Sequence, residues 1–446
     1  MVLTHGVGSR ADLPLPFEAV LFGAGTALAL SFLLLGMLWP QPRLDGGRAG
    51  RPLPAGIARV LGSTPWRWAV GGLGLLALLW TLVAAFAGPQ DTRNALPYVV
   101  FVLVWVGLVP LSWLFGPTTW ARLSPVRTLH AALCRAFRLD PGTGVLAMPR
   151  WGWWPGAGGL LLFVWLELVV PGSTQVSVLR LWVVAYLVLH VFVGLLFGNG
   201  WFSRGDPFEV WSRLFGQMSV WGRDDRGTLV LRHPLAGLDQ LPWRGDQGRG
   251  LAATAAVMLG SSAFDSLREH PSYAGWTQTG ALRATLVDTL ALVATVLVVG
   301  IAFVGCARSA DAVSGHAVAG RATPGGVAAF APSLVPVAGG YVVAHYYSLL
   351  AFEGQNSLIR LSDPLARGWN LLDLTGATAE PAVIAPSLVV WVQVLAVVTG
   401  HVLGVVVAHD RAVRLFPRHR AVAGQLPLVA LMVVYTCAGL LLLFAA

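Results

Sequence analysis

An all-α, polytopic transmembrane helical bundle of about ten spans is the fold this sequence predicts, and three observations predict it. Of 446 residues, 56% are hydrophobic, against roughly 45–50% in an ordinary soluble domain. Charged residues make up 11%, less than half the usual share of about 25%. The apolar residues fall in runs close to the ~20 needed to cross a bilayer as a helix. A chain this long can build a large core but lacks the polar residues to cover one, so neither a soluble globule nor a disordered chain fits. Residues 1–446 read as a single integral membrane domain.

The spans run near 17–39, 68–87, 96–116, 157–171, 179–198, 250–264, 285–307, 327–352, 382–408 and 426–446. The first follows MVLTHGVGSRADLPLP, with no basic region ahead of it and no small-x-small cleavage site behind it. It reads as an anchor entering from outside, not a secretion signal. The fourth and sixth are short, and the sixth contains Thr254, Ser261 and Ser262. Tilted, re-entrant or half-buried segments read this way, and the count is nine if one of them does not cross.

All 30 basic residues are arginine. With the N-terminus outside, the loops 40–67, 117–156, 199–249, 308–326 and 409–425 hold 23 of them and the opposite side holds 7. Basic loops face the cytoplasm, so the expected orientation is N-out and C-out in a bacterial inner membrane. The net charge of +9 is then a topology signal, and a nucleic-acid partner is not expected. The absence of lysine removes Schiff-base chemistry, and with it pyridoxal phosphate and retinal. It also removes a phosphate-binding G-x-x-x-x-G-K-[ST] loop. Cys134, Cys306 and Cys437 are far apart, which supports neither a disulfide framework, a cysteine zinc site nor a c-type haem. No nucleotide or flavin cofactor is expected either.

The largest loop, 199–249, is too small for a separate soluble catalytic domain. Asp206 suits a helix N-cap, Pro207 the first helical position and Glu209 the capping-box position. Phe208, Trp211, Phe215 and Met218 then share a face, predicting an amphipathic helix lying on the inner membrane surface. TLVLRHPL predicts one short strand.

Charges inside a bilayer cost about 2.5–3.5 kcal/mol each on insertion scales, so they should face protein, water or a site. In or near the spans are Glu18, Glu167, His190, Asp265, Asp288, His345, Glu353, His401 and His409. Most fall at outer span ends; His190 and His401 lie deeper. Two segments are richest. GSSAFDSLREHPSY carries Asp265, Glu269 and His270, and GGYVVAHYYSLLAFEGQN carries His345, Tyr346, Tyr347 and Glu353. His345 and Glu353 are eight positions apart, close enough in angle to share a helix face.

His, Asp and Glu are the ligands of a hydrolytic divalent-metal site. The candidate ligands are His345, Asp265, Glu269 and His270, with His190 and His401 in reserve for a site nearer mid-membrane. His345 suits a neutral ligand or general base, Asp265 a second ligand or the acceptor that orients the imidazole. Tyr346 or Tyr347 suits donation to a developing oxyanion, and Glu353 completes the catalytic candidates. Neither H-E-x-x-H nor G-x-S-x-G occurs, so any such site is assembled from different helices. The same residues also suit a proton or ion relay. A spacing echo between His190–Asn199–Asp206 and His345–Asn356–Asp363, in spans of opposite direction, is of the kind seen in transporters. A transporter-like protein and a non-catalytic subunit of a membrane complex therefore stand beside the hydrolase reading.

HGVGSRADLPLP, LSFLLLGMLWPQPRL, DPFEVWSRLFG, LGSSAFDSL, YVVAHYYSLLAFEGQ, LSDPLARGWNLL and HVLGVVVAHDRA occur in this order over most of the chain. The set resembles the actinobacterial membrane proteins called fenitrothion hydrolase-like. The resemblance implies a membrane-integral phosphotriesterase for apolar organophosphorus esters, working with a second membrane protein. It supplies no catalytic residues. Relatives carry a signal-like stretch before the His-Gly pair, where four residues precede His5 here.

Overall fold

The computed structural model describes residues 16–48, 50–243, 245–277, 281–313, 326–374, 376–380 and 384–444. Residues 1–15, with Arg10 and all of the HGVGSRADLPLP motif except Pro16, lie outside the described residues, as do Arg244 and Arg321. A helix stands at each of the ten expected positions. They are α1 (Phe17–Leu38), α2 (Thr64–Ala87), α3 (Tyr98–Phe115), α4 (Trp154–Leu168), α5 (Val176–Phe197), α6 (Leu251–Glu269), α7 (Ala281–Val313), α8 (Leu334–Ser362), α9 (Pro386–Leu415) and α10 (Leu426–Leu443).

Eight of the ten are long and apolar enough to cross a membrane; α4 and α6 are the two that are not. The 15 residues of α4 reach only ~22 Å at 1.5 Å per residue, short of a ~30 Å hydrocarbon layer. Helix α6 is long enough but polar, because it is enclosed. Residues from Leu251 to Ser266 are buried along almost its whole length. Its hydroxyls turn back on its own backbone: Thr254 Oγ1 donates to Gly250 O at 3.0 Å, Ser261 Oγ to Met258 O at 3.1 Å and Ser262 Oγ to Leu259 O at 2.8 Å. A helix walled by other helices needs no lipid-facing stripe. By contrast α7, which packs on α6, leaves Leu286, Leu290, Val298 and Ile301 open on its outer side, as lipid contact requires.

Local sequence sets the helix ends. Ser63 caps α2, its Oγ accepting from Trp66 N at 3.2 Å, with proline in the first turn. After α2 the chain turns on Asn94, whose Nδ2 donates to Ala84 O and Pro89 O, both at 2.7 Å. The first half of α3, Tyr98–Val106, is wound as a π-helix, and Leu108–Phe115 returns to α geometry. Helices α8 and α9 cross closely at Gly340 and Gly400. A Cβ on Gly340 would stand 2.5 Å from Ala396 O, and one on Gly400 would stand 2.9 Å from Gly340 Cα. Small residues let backbones touch in this way inside membranes.

The aromatic helix of the large loop is Pro207–Gly216, and the surface-lying expectation for it is corrected. Phe208, Val210, Trp211, Leu214 and Phe215 are all buried. The helix is tucked beneath α3 and α4, and Trp211 stacks on Trp105 with ring centroids 4.0 Å apart. An apolar face specifies only that something covers it; here the cover is protein, not lipid. The capping expectation holds at Asp206, whose Oδ1 accepts from Phe208 N at 3.0 Å. Glu209 does not close a capping box but pairs with Arg127. The strand expectation is met by β3 (Leu229–Leu231), central in a three-stranded antiparallel sheet with β1 (Arg51–Pro52) and β2 (Trp221–Arg223).

The two ends of the bundle bring together the groups that alternating spans require. At one end meet the C-termini of α1 and α9 and the start of α10. Asp410 accepts from Trp39 Nε1 at 3.0 Å and Leu44 N at 3.1 Å, His409 bridges Gln425 and Trp39 O, and Arg411 pairs with Asp239 at 3.0 Å. At the other end meet the C-termini of α4 and α6 and the start of α7, around an open vestibule.

Candidate functional site

Helix α6 presents Asp265 and Glu269 one turn apart on one face. Helix α8 runs against it and brings Tyr341, His345 and Tyr346. His345 Nε2 lies 3.0 Å from Asp265 Oδ2, with both side chains almost fully enclosed. The Tyr341 hydroxyl donates to the same Oδ2 at 3.0 Å. Tyr341 also stacks on the imidazole, centroids 5.1 Å apart and planes 15° from parallel, and Tyr346 meets the ring edge-on at 4.9 Å. These contacts fix the ring plane. The ligand atoms of Asp265, Glu269 and His345 all lie within 4.8 Å of one another. One neutral nitrogen and two carboxylate oxygens at that spacing suit a divalent first-row cation, whose bonds to such ligands are about 2.0–2.2 Å long.

Glu167, at the end of α4, faces the cluster from the other side. Its Oε1 receives the Tyr346 hydroxyl at a long 3.4 Å. Below it sits a cavity of about 20 Å³, walled by Trp105, Trp211, Ser261, Ser262, Tyr341 and Tyr346 among others, room for about one water. Above it opens a vestibule of about 760 Å³. Glu167, Leu168 and Asp265 line both spaces. The π-wound stretch of α3 contributes to each, Phe101 above and Trp105 below. Arg268, Glu269 and Asp288 add charge to the vestibule wall, and Phe101, Val169, Val170 and Leu349 add apolar surface.

The structure thus brings together His345, Asp265, Glu269 and Tyr346. His270 is not with them: it ends α6, and its Nδ1 accepts from Ser272 N at 3.2 Å. Glu353 is not with them either, since its carboxylate accepts from Asn356 Nδ2 at 2.9 Å. Eight residues is a favourable angle, but it is also ~12 Å of helix rise from His345. Tyr347 is half-buried, on the next position around α8 from Tyr346. The reserve histidines occupy separate niches. His190 Nδ1 accepts from Trp201 Nε1 at 3.1 Å, and His401 Nδ1 meets Val397 O at 2.8 Å. Tyr186 packs on His190 and donates to Asp206, as Tyr341 packs on His345 and donates to Asp265, but among the described residues only His345 sits in a group of three ligand side chains.

Tyr341, Glu167 and Arg268 are the members that sequence reading did not place in the site. For Tyr341 the signal was its place one turn before His345. For Glu167 it was an acid at an outer span end. Neither says which helices are neighbours.

What these features define is a class: a multi-pass helical membrane protein with a buried acid–imidazole cluster beneath an open vestibule. No family model, curated protein or solved structure matches the chain.

Proposed function

We propose that this chain is a membrane-embedded hydrolase of apolar organophosphorus triesters, with Asp265, Glu269 and His345 holding a divalent cation at the floor of the vestibule. The observation that carries the reading is the convergence of those three ligand atoms within 4.8 Å. The sequence resemblance supplies the substrate class. A cation held there would polarise a phosphoryl oxygen and lower the pKa of a bound water to about 7.

The chain's own groups have separable roles. Asp265 and Tyr341 hold the His345 ring in one plane and one orientation. Glu167, on the far side of the cluster, is placed to accept a proton from water. Arg268, in the vestibule wall, offers a planar fork to phosphoryl oxygen. The mixed vestibule wall suits a substrate that enters from lipid and a reaction that consumes water. In the expected orientation this is the outer leaflet of a bacterial inner membrane.

A second reading rests on the two spaces that share Glu167 and Asp265: a proton or ion relay in a transporter-like protein. One experiment separates the two. The protein is assayed, purified and in native membranes alongside any membrane partner, with a 4-nitrophenyl phosphotriester, and its metal content is measured. Hydrolysis that is lost on chelation and restored by a divalent ion supports the hydrolase. A protein that stays metal-free and inert after incubation with zinc, manganese and cobalt refutes it. Proton uptake into vesicles by that metal-free protein would support the relay.

A further inference from the structure

A further cavity, which shares no lining residue with the vestibule, lies among α2, α3 and α5 and measures about 220 Å³. Leu78, Leu103, Leu108, Val183 and Leu187 are among the side chains that line it. Three polar side chains in its wall already use their hydrogen-bonding groups elsewhere. Thr81 Oγ1 donates to Ala77 O at 2.7 Å, Trp120 Nε1 to Asp206 Oδ2 at 3.1 Å and the Tyr186 hydroxyl to Asp206 Oδ1 at 2.9 Å. The space offers dispersion contact to hydrocarbon and little else.

One end of this cavity is closed by Leu123 and Pro125, in the segment that presses on α2. A Cβ on Gly74 would overlap Leu123 O, so only glycine lets that backbone come so close. Arg122 precedes Leu123, and a Cβ on Gly71, one turn above Arg67 on α2, would lie 3.7 Å from Arg122 O. Strand β2, which ends at Arg223, packs on the turn that leads into this segment: a Cβ on Gly116 would lie 3.3 Å from Trp221 O. Burial lowers the Arg122 pKa, and the neighbouring charges of Arg223 and Arg67 lower it further. Among the described residues none of the three pairs with a carboxylate. Arg67 Nη2 donates to Thr64 Oγ1 and Arg223 Nη1 to Gly227 O, both neutral oxygens. The Arg122 guanidinium, next in sequence to a residue of the cavity wall and repelled by Arg67 and Arg223, has no carboxylate partner among the described residues. Arg122 and Arg223 follow α3 and α5, and Arg67 lies in the first turn of α2, all in stretches that the arginine count places at the cytoplasmic face.

We propose that this corner is a binding site for an anionic phospholipid. The headgroup phosphodiester sits among Arg67, Arg122 and Arg223, and one acyl chain enters the cavity between α2, α3 and α5. Guanidinium forks match phosphate oxygens, and each acyl methylene taken up gains contact with a preformed apolar wall. The site is independent of the hydrolase reading and stands or falls separately from it.

The test uses the full chain, purified in mild detergent and stripped of lipid. Phosphatidylglycerol, phosphatidylcholine with the same acyl chains, and inorganic phosphate are the probes. Bound lipid is read by native mass spectrometry and its effect by thermal melting. Phosphatidylglycerol binds near one to one and raises the melting temperature; phosphatidylcholine and phosphate do neither. Arg122→Ala weakens phosphatidylglycerol binding about ten-fold or more, as the loss of a charge-assisted hydrogen bond should. Ala77→Phe, on the open wall of the cavity, fills the acyl space and abolishes binding while leaving the lipid-free melting temperature unchanged. Equal binding of both lipids, or phosphatidylglycerol binding untouched by Arg122→Ala, overturns the proposal. So does inorganic phosphate that reproduces the stabilisation, because it would mark a free-anion site.

Discussion

Asp265 and His345 meet Oδ2 to Nε2 at 3.0 Å in a space from which both side chains are nearly excluded from solvent. They come from different helices, and Tyr341 donates to the same carboxylate oxygen. A carboxylate oxygen that takes two donors has one position, and an imidazole stacked on Tyr341 and edged by Tyr346 has one plane. Preorganisation of this kind lets a buried acid–imidazole pair act on a bound ion or a proton without rearrangement.

Substitutions in this cluster should therefore divide sharply from substitutions one or two turns away. Asp265→Asn keeps the volume but removes the charge, and His345→Ala removes the ring. On the proposed hydrolase reading, each lowers phosphotriester hydrolysis about 100-fold or more. Tyr341→Phe removes only a supporting hydrogen bond and should cost roughly 10-fold in metal affinity. Glu353→Gln and His270→Ala, outside the ligand group, should leave hydrolysis near the parent level. Steady-state rates and metal titrations on the same preparations check all five; a Glu353→Gln loss as large as that of Asp265→Asn would refute the assignment.

The bundle was legible in the sequence because its signals are one-dimensional: apolar run length and arginine asymmetry survive without knowledge of neighbours. Asp265, Glu269 and His345 were legible as candidates because charge near hydrocarbon is costly and needs a reason. Tyr341 and Glu167 were not, since only the packing of α4, α6 and α8 makes them neighbours. Helix α6 shows the limit best. Thr254, Ser261 and Ser262 made it read as a doubtful span, and it is not among the eight helices apolar enough to cross; that its hydroxyls close on its own backbone inside the bundle depends on packing. The Pro207–Gly216 helix was misplaced on the membrane surface because its aromatic face could not reveal that Trp105 and the bundle cover it.

The expected orientation can be read from two exposed loop positions in intact cells. On a background with Cys134, Cys306 and Cys437 replaced by serine, Asp91→Cys and Arg226→Cys are treated with a membrane-impermeant maleimide. Asp91 lies in the loop between α2 and α3, and Arg226 lies between β2 and β3. Labelling of Cys at 91 in intact cells, and at 226 only after permeabilisation, is the outcome expected from the arginine asymmetry. The reverse pattern would invert the molecule, and labelling of both in intact cells would break the alternation.

Arg127 and Glu209 form a two-pronged pair, Nε to Oε2 at 2.6 Å and Nη2 to Oε1 at 2.7 Å. Glu209 is buried. Removing one partner strands a charge, so Arg127→Met should destabilise the protein by about 3–5 kcal/mol. Replacing both, as Arg127→Met with Glu209→Leu, removes the stranded charge and should recover most of that loss. Melting curves in one detergent decide it. A double variant no more stable than the single one would mean that the pair contributes its own net attraction.

Asp206 gives the fold a pH dependence with a defined sign. Its carboxyl is fully enclosed and accepts from Tyr186, Trp120 and Phe208 N. Burial outweighs these donors and pushes its pKa from 3.8 up to about 6. Between those two values the folded protein holds a proton that the unfolded chain has released. Stability associated with Asp206 is therefore greatest at the acid end and falls as pH rises through this window, levelling off above it. At 1.36 kcal/mol per unit the span is ~3 kcal/mol. Asp206→Asn keeps an oxygen acceptor for the cap and for Tyr186 but cannot ionise. The stability of the parent relative to this variant should therefore decline from about pH 4 to about pH 6.5 and stay flat beyond. Melting temperatures of the pair across that range measure it. A difference that grows with pH would mean that the three donors, not burial, control this carboxyl.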